Sequence, residues 1–315
     1  NSIMPQCTDQ LQIRRNMNTG AISTSFPFTS ADLTQDKGIL YGINMHNNGL
    51  VIFDRFSLEN ANMVVFAKSG AGKSFTVKLE ALRSMMIGAD ILIIDPENEY
   101  QKLCDAVGGS YVRLSLNSDV RINPFDLPKV VDTEDANDAL RANLVTLHGL
   151  FRLMLGGNQV SGGGQVVPAL TATEEADLDQ ALIDTYARAG ITSDPLTHQS
   201  TPPTISNLYD TLLHMEGSGP ALAQRLRKYT TGTFAGIFSQ QSNIDINNQM
   251  VVFNIRDLED ELRPVAMYIV LSHIWNIVRA EQKKRLLIVD EAWQLMKYED
   301  SANFLFSLAK RARKY

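Results

Sequence analysis

Short apolar runs punctuate the chain at Met63–Phe66, Asp90–Asp95, Val251–Ile255 and Leu286–Asp290. Runs of this length, bounded by acids or glycine, predict strands buried on both faces of a parallel sheet. Between them the period changes. Phe75, Leu79, Leu82 and Met86 recur at helical spacing behind the first run, and predict a helix that buries that face. Pro264 follows Glu259, Asp260 and Glu261, where a first helical turn tolerates proline. Val265, Tyr268, Ile269, Ser272 and Trp275 then trace one helical face. Strands alternating with helices predict a doubly wound α/β sheet. Upstream, Ile39–Ile43 and Leu50–Phe53 read as two short strands, with Asn48-Gly49 placed for a tight hairpin turn.

From about Asp132 to Phe234 the pattern is helical throughout and offers no strand. Leu140, Leu144, Leu147 and Phe151 form one stripe, and Leu178, Leu182 and Tyr186 another. Thr171 with Glu174 matches a capping box, and Pro220 stands at a first helical turn. The predicted organisation is therefore an irregular arm and hairpin over 1–58, then the first part of a P-loop core over 59–131. An all-helical insertion over 132–234 and the second part of the core over 235–315 complete it.

Composition narrows this picture only a little. At 315 residues, 44% hydrophobic and 20% charged, the chain is average for a globular protein. No apolar run approaches the roughly 18–20 residues of a membrane span. The opening Asn1-Ser2-Ile3 has no methionine and no leader character, and reads as a piece of something longer. Cys7 and Cys104 give neither a disulfide framework nor metal-ligand spacing, which fits a reducing cytoplasm. A net charge of -6 weighs against a surface built for duplex nucleic acid.

The candidate chemistry is concentrated in two places. Ala67-Lys68-Ser69-Gly70-Ala71-Gly72-Lys73-Ser74 lies between a predicted strand and a predicted helix, the setting a P-loop requires. Backbone N–H groups of Ser69, Gly70, Ala71, Gly72, Lys73, Ser74 and Phe75 would bind phosphates, helped by the helix dipole. The Lys73 ammonium would reach the β- and γ-phosphates of ATP, and the Ser74 hydroxyl would ligate Mg2+. Ala67 replaces the usual first glycine. Downstream, Asp290 ends a buried strand and would hold the magnesium shell, while Glu291 would act as catalytic base on water. Ser161-Gly162-Gly163-Gly164-Gln165 resembles a transporter ATPase signature, but it lies too far upstream of Asp290 and reads as a loop. Trp275 reads as core, and Trp293 reads either as core or as a residue flanking the catalytic base. Asp95 and Glu99 read either as contacts to the magnesium water shell or as caps of the following helix.

Further residues carry a resemblance. Asp95-Pro96-Glu97-Asn98-Glu99-Tyr100, Arg121-Ile122-Asn123-Pro124-Phe125, Tyr229-Thr230-Thr231-Gly232-Thr233-Phe234 and Arg311-Ala312-Arg313-Lys314-Tyr315 occur in this order around the two motifs. Over roughly Asn60 to Tyr315 the chain resembles the conjugative ATPases of type IV secretion, the class of TraC, TrbE and VirB-four in the FtsK and HerA superfamily. The resemblance implies a RecA-like core with a helical insertion, forming the carboxyl-terminal motor half of a secretion ATPase. It implies a homo-oligomer, a hexamer when active, working with other secretion components at the cytoplasmic face of the bacterial inner membrane. It also implies that Arg313 reaches the neighbouring subunit's nucleotide as a catalytic arginine; a solvated basic helix end is the other reading of that residue. Two alternatives stay open: a hexameric DNA translocase, kept in view by Lys283, Lys284, Arg285 and Lys310 to Lys314, and an assembly module that binds ATP with little turnover.

Overall fold

The computed structural model describes residues 18–19, 34–128, 133–156, 159–160, 166–244 and 248–312, with side chains of the helix that starts at 133 described from 139 onward. Most of the arm, the Ser161–Gln165 loop and Arg313 lie outside the described residues. The chain divides into two units, Asn1–Asp54 and Arg55–Tyr315.

In the first unit β1 (Ile39–Ile43) pairs antiparallel with β2 (Leu50–Phe53), with an irregularity between Leu40 and Gly42. The turn is wider than the Asn48-Gly49 pair suggests. Asn44 N–H donates to Gly49 at 2.8 Å and Asn48 N–H to Asn44 at 2.9 Å, so the loop spans 44–49. Side-chain carbonyls of Asn44 and Asn47 accept from the N–H groups of His46 and Gly49, each at 2.9 Å, and such local bonds favour the longer loop.

The second unit is built on a parallel sheet in the order β4 (Ser110–Arg113), β7 (Met250–Asn254), β3 (Asp90–Asp95), β8 (Arg285–Val289). The interior strands β3 and β7 are buried almost end to end, as their apolar runs predict. Successive side chains of a strand point to opposite faces, and the core divides accordingly. Ile91, Ile93, Met250 and Val252 pack on one face with Ala81 of α1 (Lys73–Met86) and Cys104 of α2 (Gln101–Ala106). Leu92, Ile94, Val251 and Phe253 face the other layer, which contains α7 (Arg263–Ala280) and the helices of the middle segment.

Those middle helices are α3 (Thr133–Met154), α4 (Ala172–Arg188), α5 (Ile205–Leu213) and α6 (Gly219–Thr230). The Thr171–Glu174 capping box forms, and Pro220 sits in the first turn of α6. One departure from an all-helical segment is a two-rung antiparallel ladder, β5 (Gln159–Val160) with β6 (Val166–Val167). Valines at both rungs favour extended backbone, and the pairing satisfies peptide groups between α3 and α4. Hydrogen bonds tie these helices to the rest of the unit. Tyr186 Oη donates to Phe125 O at 2.8 Å, and Tyr268 Oη on α7 donates to Thr146 O of α3 at 3.0 Å. Gly149 makes that approach possible: a Cβ there would stand 2.7 Å from Tyr268 Oη. The chain closes with α8 (Trp293–Met296) and α9 (Glu299–Ala312).

Two expectations fail near the P-loop. Residues 63–66 form no strand, and Met63, Val64 and Phe66 are solvent-exposed, Phe66 at 92%. Among the described residues this segment has no strand neighbour, so neither a ladder nor a sheet face shelters it. In α1 the buried face carries Glu80, Ala81 and Ser84, whereas Phe75 and Met86 point outward, 67% and 85% exposed. The periodicity in α1 has two candidate faces. The small residues Ala81 and Ser84 permit close approach to the sheet, and the Arg55–Glu80 ion pair at 2.5 Å fixes the choice.

Candidate nucleotide site

At the carboxyl end of the sheet the loop 67–72 leads into α1. Gly70 and Gly72 adopt φ values of 76° and 95°, a region closed to most side chains at low cost, and a Cβ on either would meet nothing within 4 Å. The space beside these glycines is open. The α1 N-terminus has no side-chain cap. N–H groups in a first helical turn lack intrahelical acceptors, so those of Lys73, Ser74 and Phe75 are available to an anion. Thr76 N–H is the first to close onto the helix, donating to Gly72 O at 3.0 Å.

Asp290 immediately follows β8 and Glu291 comes next, 8% and 28% exposed at their side chains. Lys73 Nζ lies 2.8 Å from Asp290 Oδ1 and 2.6 Å from Glu291 Oε1. The P-loop lysine and the two carboxylates that the sequence places 217 and 218 residues away therefore form one cluster. Partial burial works against the Lys73 charge, but the hydrogen bonds and negative charge of Asp290 and Glu291 outweigh it and hold its pKa above the ordinary lysine value. The Glu291 carboxyl is held below its ordinary value, first by the Lys73 hydrogen bond and then by one from Trp293 Nε1. Glu291 also has a φ of 50°, rare for a residue with a side chain.

A nucleotide triphosphate with a divalent cation fits this donor set. Uncapped N–H groups and a lysine serve the phosphates. Ser74, half-buried beside Lys73, supplies a hydroxyl, and Asp290 Oδ1 already accepts from Lys73 and from Glu291 N–H at 3.0 Å. In the described state the two carboxylates occupy the lysine, as anionic phosphate oxygens would.

Asp95 closes the turn that leads into α2. It is fully buried, and its two oxygens accept from Glu99 N–H at 3.0 Å and Tyr100 N–H at 2.9 Å. Burial raises its carboxyl above the ordinary range against those bonds, and the charge of Asp290 adds to the rise. Asn254 Nδ2, buried on β7, donates to Asp95 O at 3.2 Å. No motif marked this bond, nor the Arg55–Glu80 pair that anchors α1.

Trp275 is core at 8% exposure, and Trp293 takes the second of its two readings: it is 52% exposed and stands beside Glu291, because α8 turns its first residue toward the site. Arg225 braces the helical segment by donating to Ala169 O at 3.1 Å and pairing with Glu174 at 3.2 Å. Lys283 pairs with Asp90 at 2.9 Å and Glu281 at 3.2 Å, Arg285 pairs with Glu281, and Lys284 lies over the Phe56 ring. This basic stretch is largely neutralised within the fold.

Comparison with known proteins gives the family. The TraG P-loop domain family matches residues 51–150 and 221–315, more than half of the chain. VirB4 of Thermoanaerobacter pseudethanolicus has a similar solved structure, with a TM-score of 0.75 and 31% identity over 91% of this chain and 76% of that one. Protein TraC of Escherichia coli (strain K12) is 24% identical over 257 residues, which is 79% of this chain and 27% of that protein. The chain thus spans well under half of that relative's length. No helix among the described residues is long and apolar enough to cross a membrane. A P-loop bound to a strand-end acid pair, on a parallel sheet that matches VirB4, places this chain in the TraG P-loop domain family and in the VirB4/TraC class of type IV secretion ATPases.

Proposed function

We propose that the chain is the motor core of a type IV secretion or conjugation system, coupling ATP hydrolysis to pilus assembly or substrate transfer. The observation that carries this reading is the Lys73–Asp290–Glu291 cluster at the mouth of the P-loop. Bound magnesium would neutralise charge between the β- and γ-phosphates. Ser74 and Asp290 would hold that ion, directly or through its waters. Lys73 would leave the carboxylates for the phosphates, where its charge is better balanced. Glu291, then relieved of Lys73, would orient and deprotonate the attacking water. Arg313 would act from a neighbouring subunit, its guanidinium offsetting charge on the transferring group.

The proposal extends to a hexameric active form at the cytoplasmic face of the bacterial inner membrane, partnered by other secretion proteins. The internal pairing of Lys283 and Arg285 weighs against a duplex-threading translocase. The test is steady-state ATPase rate as a function of protein concentration for wild type, Glu291→Gln and Arg313→Ala. A rate rising faster than linearly, and lost in both variants, supports an assembling motor with an arginine in trans. A linear rate that ignores Arg313→Ala removes the arginine. Wild-type turnover in Glu291→Gln removes the base.

A further inference from the structure

Trp293 is placed where neither core packing nor the P-loop accounts for it. It is a large aromatic residue left 52% exposed at the first position of α8. Its position follows from the turn before it. Glu291 takes a φ of 50°, Ala292 returns to helical values at φ -55° and ψ -20°, and Gln294 N–H donates to Glu291 O at 3.0 Å. This tight return folds the indole back over the carboxylate two residues earlier. Trp293 Nε1–H donates to Glu291 Oε2, while Lys73 holds the other oxygen, Oε1, at 2.6 Å. One helical turn later Lys297 Nζ lies 4.5 Å from the centroid of the same indole. A cation over the ring face favours this plane of the indole, and with it this direction of the N–H.

We propose that Trp293 is a positioning residue for Glu291. It holds the carboxylate by Oε2 and leaves Oε1 to take the attacking water when Lys73 turns to the phosphates. Glutamate has several freely rotating side-chain bonds, and a base released by Lys73 without a second contact would be free to swing. The indole supplies that contact from a side chain that is itself pinned. The inference rests on the reading of Glu291 as the base.

The test separates donor from ring. Trp293→Phe keeps the ring and removes the donor. Trp293→Gln removes the ring but restores an N–H at the same number of bonds from Cβ. The expected result is a kcat lower by about tenfold to a hundredfold in Trp293→Phe, with KM for ATP nearly unchanged and most of the rate recovered in Trp293→Gln. A wild-type kcat in Trp293→Phe, or a Trp293→Gln no better than Trp293→Phe, overturns the proposal. A second readout needs no turnover. The chain has only two tryptophans, and the indole N–H resonance that vanishes in Trp293→Phe belongs to Trp293. That resonance shifts in Glu291→Gln if the contact exists, and an unmoved resonance overturns the proposal. Normal turnover in Glu291→Gln removes the base assignment instead, and with the resonance still shifted that failure is told apart from failure of the contact.

Discussion

The strands β3 and β8 are adjacent, parallel and nearly interchangeable on paper: each is an apolar run that ends in aspartate and leads into further acids. Their ends behave oppositely. After β3 the chain turns through Pro96 and Asn98, the latter at a φ of 61°, and folds the N–H groups of Glu99 and Tyr100 onto Asp95. The carboxylate is sealed and serves the fold. After β8 the left-handed residue is Glu291 itself, two positions sooner relative to the aspartate, and the acids stay open to Lys73. An acid at a strand end is thus sealed by its own turn or left open to a distant lysine, according to where the left-handed residue falls.

Substitutions at the two ends should separate chemistry from stability. The largest effect belongs to Glu291→Gln, which is expected to lower turnover by about a hundredfold to ten-thousandfold and leave the urea midpoint nearly unchanged. Asp95→Ala should do the reverse. It strands two buried N–H groups and costs about 2–4 kcal/mol of stability, measured by urea unfolding, with near-normal ATP affinity in the folded fraction. If Asp95→Ala abolished ATP binding while remaining stable, the contrast between the two ends would collapse. Asn98→Ala puts a less tolerant residue into the left-handed turn and should cost about 1–2 kcal/mol.

The smallest effect is also the most diagnostic, because the two carboxyls should respond to pH with opposite signs. Glu291 has a folded pKa below its unfolded value. Its contribution to stability is complete above the unfolded pKa and is lost as pH falls through the folded one. Asp95 has a folded pKa above its unfolded value. The native state therefore holds more protons in that window, and its contribution is lost as pH rises from the unfolded pKa through the folded one. Stability differences from Glu291→Gln and from Asp95→Asn, followed across the acid range, should slope in opposite directions. Parallel slopes would contradict the assignment.

Much of the fold was legible in the residues. The runs at Asp90, Val251 and Leu286 became the strands, the Thr171 capping box formed, and the glycines and lysine of the P-loop met the acids after β8. What was misread shares one cause, the dependence of burial on neighbours distant in the chain. The exposed face of α1 could not be told from its buried one because the deciding partner of Glu80 is Arg55, outside the helix. Residues 63–66 are apolar enough for a strand but have no strand partner among the described residues. For Trp293 the residues left core and a place beside Glu291 equally open, and the choice depends on the backbone angle of Glu291, which glutamate rarely adopts.

The most direct test is calorimetric binding of magnesium–ATP to wild type and to Lys73→Ala. If Lys73 exchanges Asp290 and Glu291 for the phosphates, its loss should weaken binding by about tenfold to a hundredfold. Equal affinity in the two proteins would contradict the assignment of the nucleotide site.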